Sequence, residues 1–201
     1  PQPDPGPRSE GEAEEALNKR FAAIPNPMKL KWGDKLEIFD LPDVLLEVAA
    51  VESCAIEGAE PEDPKVVRYH LKEVAGDHEL YLEAICGDDT EYALYELAEE
   101  FEFEEKFMDV VDNDDTLRQT FEDEEGEGHI DFEKENDFNV ELSGFHKDGA
   151  FEARLRVVAY FHQNDEGEES FLSVEINDRD GWTSLHLGRP IRASEISSFG
   201  G

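Results

Sequence analysis

Seven runs of apolar or alternating residues, each of strand length, constrain the fold of this chain more than any other feature. Val67, Tyr69 and Leu71 share one face of the run 66–72, and similar alternation recurs along the chain. Clusters of turn residues such as Gly76-Asp77 separate the runs. Alternation of this kind is typical of antiparallel strands with one buried face. The predicted strands are 45–55, 66–72, 79–86, 137–142, 151–161, 170–176 and 182–187.

Helical patterns are short. Residues 9–23 place Leu17 and Phe21 four apart, with Ser9 and Glu12 at capping-box spacing. One or two further short helices are expected around 103–121, and the run 91–97 fits either a helix or a strand. The predicted fold class is therefore α+β: a predominantly antiparallel β-sheet with a few short helices.

The beginning of the chain differs from the rest in composition. Four of the first seven residues are proline, which predicts a tail or linker without regular hydrogen bonding. The predicted organisation is a Pro-rich tail and short helix over 1–27, then a single β-rich domain over 28–201. Because the first residue is Pro rather than Met, we expect the chain to be a piece of a longer one.

The net charge excludes several classes of partner. The chain has 52 acidic and 18 basic residues, a formal net charge of −34. Nucleic acids and anionic membranes attract basic surfaces, so direct nucleic-acid binding is not expected. Membrane insertion is not expected either, because no apolar run approaches the roughly 18–20 residues that span a bilayer.

The charge is concentrated in an acidic segment at about 96–137. Its 42 positions hold 19 acidic and three basic residues. Within it, residues 122–128 (EDEEGEG) are expected to form a mobile loop, since like charges repel and glycine adds freedom. The segment is predicted to bind a basic protein partner or a polyamine. Its candidate partner-binding residues are Glu99, Glu100, Glu102, Glu104, Glu105, Asp112, Asp114, Asp115, Glu122, Asp123, Glu124, Glu125 and Glu127.

Motifs for metal binding or catalysis are missing from the sequence. An EF-hand alignment from Asp112 fails, because Leu117 replaces the glycine and Asp123 the final glutamate. No nucleophile elbow and no phosphate-binding glycine loop occur. We therefore assign no catalytic, cofactor-binding or metal-binding residue and no cofactor. Cys54 and Cys86 are too few for a disulfide framework, so free thiols and a cytoplasmic location are expected.

Several stretches resemble a known family. These are VLLEVAAVESCAIEG (44–58), VVRYHLKE (66–73), HELYLEAICGDD (78–89), EYALYELAEE (91–100) and, near the end, GRPIRASEISSFG (188–200). Over about 28–200 the chain is similar to the bacterial YjfK-like proteins, a family of unknown function. The acidic middle matches poorly. The resemblance implies an accessory role beside phage-shock-A-like or glutathionylspermidine-synthase-like proteins, in an envelope-stress or polyamine-related setting.

The sequence thus favours a non-enzymatic accessory or interaction protein whose acidic segment binds a basic protein or a polyamine. Two alternatives remain open. The first is a nucleic-acid mimic or immunity-type inhibitor of a basic nuclease, in which carboxylates take the place of phosphates. The second is a hydrolase without a recognisable motif, for which a concave apolar pocket with converging polar groups would be the sign.

Overall fold

The computed structural model describes residues 25–60, 63–123, 126–146, 149–177 and 179–199. Within these ranges the chain forms eleven strands, one α-helix, α1 (Glu105–Asn113), and a short 3-10 turn (Ala193–Glu195). The strands are β1 (Lys35–Ile38), β2 (Leu46–Ile56), β3 (Lys65–Glu73), β4 (Glu79–Cys86), β5 (Thr90–Glu102), β6 (Thr116–Asp123), β7 (Gly126–His146), β8 (Gly149–Gln163), β9 (Glu169–Asn177), β10 (Trp182–Ile191) and β11 (Ile196–Phe199).

Eight of these strands close into an antiparallel barrel. Their order around the barrel is β2, β3, β4, β5, β10, β9, β8 and β7. The closing ladder joins β7 to β2 and runs from Ala50 opposite His146 to Ile56 opposite Val140. Outside the barrel, β1 pairs with β2 and β11, and β6 pairs with β7. Closure gives every barrel strand an inward and an outward face.

The outward face of β2 to β5 is covered by the beginning of the described chain together with β1 and β11. This outer core buries Leu36 and Ile38 of β1 and Ile196 of β11 against Val67 and Leu71 of β3. Burial of this apolar surface stabilises the fold by roughly 25 cal/mol for each Å² removed from water. The alternation of β3 predicted from the sequence is therefore correct, with its apolar face directed outward.

Helix α1 covers part of the opposite side of the barrel. Its apolar residues recur at helical spacing, and Met108 and Val111 are buried. They pack beside Val158, Val174 and Leu185 on the outward faces of β8, β9 and β10. Glu105 lies in the first turn, where the helix dipole favours a negative charge. No helix among the described residues is long and apolar enough to cross a bilayer.

The predicted fold class, α+β with a few short helices, is wrong. Among the described residues, strands make up 66% and helices 7%, and the fold is a closed barrel with one α-helix. The error arises in the region 103–121, where one or two helices were expected. Only Glu105–Asn113 is helical among the described residues there, and Thr116–Asp123 is the edge strand β6. Charged residues fit this strand because an edge is solvated and Arg118 pairs across it with Asp131.

The acidic loop predicted at 122–128 is mostly a hairpin. The ladder between β6 and β7 continues to Glu122 opposite Glu127 and Asp123 opposite Gly126. The strand 91–97, left open as helix or strand, belongs to β5. The tail and helix predicted for 1–27 fall almost wholly on residues 1–24, which lie outside the described residues.

Candidate functional site

The barrel interior contains charged side chains where an apolar core is usual. The ladder registers place Arg68 of β3 between Glu52 of β2 and Glu83 of β4. The Arg68 Nε donates to Glu83 Oε2 at 2.8 Å, and its Nη1 donates to Glu175 Oε1 at 2.6 Å. Because β3 and β9 are not neighbours in the barrel, the bond from Arg68 to Glu175 crosses its interior. We call these residues, with His70 and His186, the polar cluster.

Most of the polar cluster is held away from water, although the side chain of His70 is 42% exposed. Arg68 and Glu175 are each 5% exposed, and Glu52 is 2% exposed. Burial lowers the pKa of Arg68, but the charges of Glu175, Glu83 and other nearby groups together outweigh burial, so this pKa lies well above its ordinary value. The guanidinium therefore stays charged and balances the buried carboxylates. Burying these carboxylates without a counter-charge would cost several kcal/mol of free energy, as a rough scale.

A second pair lies beside the first. The Nε2 of His70 is 3.0 Å from Glu52 Oε1. Burial raises the pKa of Glu52, yet the hydrogen bond and charge of His70 outweigh burial and lower it. Burial lowers the pKa of His70, yet the hydrogen bond to Glu52 and the charges of Glu52 and Glu175 together outweigh burial and raise it. Both shifts favour a carboxylate paired with an imidazolium.

Aromatic rings line the same interior. Tyr81 stacks on Tyr95 with ring centroids 4.6 Å apart, and the guanidinium carbon of Arg68 is 4.7 Å from the Tyr81 ring centroid. The ring of His186 meets Tyr81 edge-on at 5.0 Å. Burial raises the pKa of both tyrosines, so their hydroxyls stay protonated and can donate hydrogen bonds. Burial also lowers the pKa of His186, which favours its neutral form.

Besides Glu52 Oε1, which lies in an ion pair with His70, three buried polar atoms in this interior have no hydrogen-bond partner among the described residues. They are the Tyr81 hydroxyl, Ser173 Oγ and His186 Nδ1. Tyr81 is 3% exposed and Ser173 is 4% exposed. A buried hydroxyl without a partner costs free energy unless a water molecule or a ligand supplies one. The interior therefore has hydrogen-bonding capacity that the described protein atoms leave unused.

Two connected cavities give access to this interior. The inner cavity has a volume of about 70 Å³ and reaches Arg68, Glu83 and Ser173. The mouth cavity, of about 600 Å³, opens at the barrel end that carries the β2–β3 connection. Both cavities are lined by Ile56, Val66, Glu83, Tyr95, Phe138 and Ala159. The mouth cavity is otherwise walled mainly by apolar side chains and has a partly acidic rim. The further wall residues include Ile85, Ala93, Phe171 and Leu172, and the rim includes Glu57, Asp63 and Glu135.

The chemistry of this site suits recognition. Burial is the main cause that raises the pKa of Cys54, so its thiol is protonated and is a poor nucleophile. Within the described residues, no group of three or more His, Cys, Asp or Glu side chains is arranged to hold a metal ion. Charged groups at the end of an apolar cavity orient a ligand and select its polar group.

Most of the acidic segment lies elsewhere, on the surface, although its Glu135 belongs to the rim of the mouth cavity. Of the predicted partner-binding residues, Glu99, Glu100 and Glu102 are on β5, Glu104 precedes α1, and Glu105 begins it. Asp112 is near the end of α1, Asp114 and Asp115 follow it, and all eight are exposed. Glu122 and Asp123 are on β6 and Glu127 on β7, whereas Glu124 and Glu125 lie outside the described residues. None of the described predicted residues lines either cavity.

The residues of the polar cluster were missed in the sequence. In VVRYH, the alternation of Val67 and Tyr69 assigns Arg68 to a solvent-facing side, which is normal for a half-buried strand. A signal was present, because Glu52, Arg68 and Glu175 each have apolar residues close by on both sides in the sequence. A lone charge within an apolar strand indicates a second buried face.

Comparisons with known proteins find no matching family model, curated protein or solved structure. The resemblance to the YjfK-like proteins therefore stays a prediction.

Proposed function

We propose that this protein binds a small amphipathic molecule inside its barrel, with the apolar part of the molecule in the mouth cavity. The observation that carries this proposal is an open cavity of about 600 Å³ that leads to a buried polar cluster. Small-molecule sites commonly have volumes of about 300–1,000 Å³, with apolar walls and a few placed polar groups. Eight-stranded barrels have room for one small ligand.

The walls of the cavity suit the apolar part of such a ligand, and its inner end suits the polar part. Ile85, Phe138 and Phe171 offer apolar surface that a hydrocarbon or aromatic group would cover. Glu83 and Ser173 offer polar atoms beyond these walls. Binding is proposed rather than catalysis, because Arg68 is already held by two carboxylates and the Cys54 thiol is protonated.

The experiment is a titration with an uncharged dye whose fluorescence rises in apolar surroundings. Ala159→Phe places a large side chain in both cavities and is expected to weaken dye binding at least about tenfold. Ala55→Phe, at an exposed position of β2, is the matched control and should bind as the wild type does. Circular dichroism checks that both variants fold. Equal binding by both variants would contradict the proposal.

A second proposal retains the interaction role of the acidic segment. Glu99, Glu100, Glu102 and Glu104 are exposed and surround the 41%-exposed Phe103 along the chain. Within the described part of the protein, these four carboxylates form no ion pair, whereas Asp112 pairs with Arg156 at 2.7 Å. Unpaired carboxylates beside an exposed aromatic ring favour a basic protein surface or a polyamine as partner. A cytoplasmic location is proposed with it, because both cysteines are free.

The test of the second proposal is salt-dependent binding of a lysine-rich peptide and of spermidine. Replacing Glu99, Glu100 and Glu102 together by Gln should weaken binding at low ionic strength. The control replaces Asp88 and Asp89 by Asn and Glu91 by Gln, three exposed carboxylates around the β4–β5 turn. Binding that ignores salt, or equal losses in the two triple variants, would contradict a specific role for the acidic segment.

A further inference from the structure

We propose that the molecule bound in the barrel carries a protonated primary amine, which Glu83 and Ser173 recognise at the inner end of the cavity. This inference rests on the proposed ligand-binding function and names the chemical class of the ligand. It follows from the charges, the unused acceptors and the apolar walls of the same site.

The charges of the interior do not balance. Glu52, Glu83 and Glu175 are carboxylates, and they face the guanidinium of Arg68 and the imidazolium of His70. His70 balances Glu52, which leaves Arg68 shared between the other two carboxylates. The neutral form that burial favours for His186 adds no positive charge. Three carboxylates thus face at most two cations, so the interior carries at least one excess negative charge in a region where the protein reduces screening by water.

Glu83 is where that excess charge meets the cavities. It lines both the inner and the mouth cavity, and its side chain is 13% exposed, twice the fraction of Arg68. Arg68 donates to Oε2 of Glu83, which leaves Oε1 to accept a hydrogen bond from a ligand. A charge-assisted bond from an ammonium to this oxygen would neutralise the excess charge.

Ser173 supplies an independent observation. Its side chain lines the inner cavity, is almost fully buried, and has no hydrogen-bond partner among the described residues. An ammonium has three donors and no acceptor, so it can reach a carboxylate and a hydroxyl at once. Tyr95 lines the same cavity, and its ring offers a negative face to a cation.

Other ligand classes fit less well. A carboxylate or phosphate head would meet Glu83 and suffer repulsion at short range. A polyamine without an apolar body would leave the walls at Ile85, Phe138 and Phe171 uncovered. A primary amine on a hydrocarbon or aromatic body would bond to Glu83 at the inner end of the cavity and would cover its apolar walls.

Isothermal titration with octylamine, octan-1-ol and octanoate tests the inference, because the three probes share one hydrocarbon chain. At about 0.15 M salt, where long-range attraction to the acidic surface is screened, octylamine should bind about tenfold more tightly than octan-1-ol. Octanoate should bind most weakly. Ala159→Phe should reduce binding of octylamine and octan-1-ol alike.

Glu83→Gln should remove the preference for octylamine over octan-1-ol, because the charge-assisted bond to the ammonium is lost. The control is Glu141→Gln, which removes one exposed carboxylate from β7 and should retain the preference. Ser173→Ala breaks no ion pair, so it keeps the test valid if Glu83→Gln does not fold. It should weaken octylamine binding several-fold.

The outcomes separate the two proposals. If octan-1-ol binds in an Ala159→Phe-sensitive way but octylamine is not preferred, the amine inference is overturned and the ligand-binding function stands. The amine inference is likewise overturned if Glu141→Gln removes the preference as fully as Glu83→Gln, because general surface charge would then explain it. If none of the three probes binds, the ligand-binding function itself fails.

Discussion

The exterior and the interior of this barrel both carry carboxylates, but the two regions obey different electrostatics. On the acidic segment, residues such as Glu99 and Glu100 are exposed, and solvent screens them. In the interior, Glu52 and Glu175 are almost wholly buried and each faces a specific cation. A large number of exposed charges sets solubility and long-range attraction, whereas a few buried charges set local structure and ligand choice.

The largest effect should come from removing the cation that holds the interior together. Arg68→Ala leaves Glu83 and Glu175 buried without their counter-charge, which should lower the free energy of unfolding by about 3–5 kcal/mol. Urea denaturation measures it. Arg118→Ala is the comparison, because Arg118 bonds both oxygens of Asp131 on the exposed edge of the sheet. The decrease in the free energy of unfolding should be much smaller for Arg118→Ala. Equal decreases in the two variants would contradict the difference between the buried and the exposed ion pairs.

The second largest difference should be in the response of the exterior and the interior charges to salt. Raising sodium chloride from about 0.05 to about 0.5 M screens repulsion among the exposed carboxylates, so the melting temperature of the wild type should rise. The stability difference between the wild type and Arg68→Ala should change little, because the buried pairs are poorly screened. A difference that shrinks in proportion to screening would show that water reaches the polar cluster.

Glu52 and His70 predict a pH dependence of intermediate size. The pKa of His70 is raised above its ordinary value of 6.5, so its contribution is complete below that pH and disappears as pH rises through the raised value. The pKa of Glu52 is lowered from 4.5, so its contribution is present above that pH and is lost as pH falls through the lowered value. The pair therefore stabilises the fold between these limits.

His70→Gln should cost more stability at about pH 5.5 than at about pH 9, as measured by denaturation at both values. In a Glu52→Gln background the same substitution should lose most of this pH dependence, because the partner carboxylate is gone. A pH dependence that survives in the Glu52→Gln background would assign the effect to another group.

The smallest effect concerns two serines that face the interior. Ser184 Oγ lies 3.0 Å from His186 Nε2, so Ser184→Ala should lower the free energy of unfolding by about 1 kcal/mol. Ser173→Ala removes a hydroxyl without a partner among the described residues and should leave stability unchanged or slightly increased. Equal losses in the two variants would indicate that a water molecule already satisfies Ser173.

The sequence predicted individual strands well and their assembly poorly. Runs such as 66–72 and 151–161 were placed correctly because alternation is local. The barrel was not predicted, because its closing ladder joins Ala50 to His146 and no local pattern reports so distant a pairing. The polar cluster was missed for the same reason, since the face of Arg68 becomes an interior only after closure. Acidic residues also did not distinguish a helix from a strand in the region 103–121, because a solvated edge strand tolerates them as well as a helix does.

The β2–β7 ladder has a consequence for folding during synthesis on the ribosome. The ribosome synthesises β2 roughly ninety residues before the part of β7 that pairs with it. Until then, the β2 edge offers unpaired backbone groups to any other nascent strand, and distant pairing of this kind slows folding. The net negative charge of the intervening segment keeps such chains apart while they wait. We therefore expect charge repulsion between these acidic chains to reduce their aggregation during synthesis.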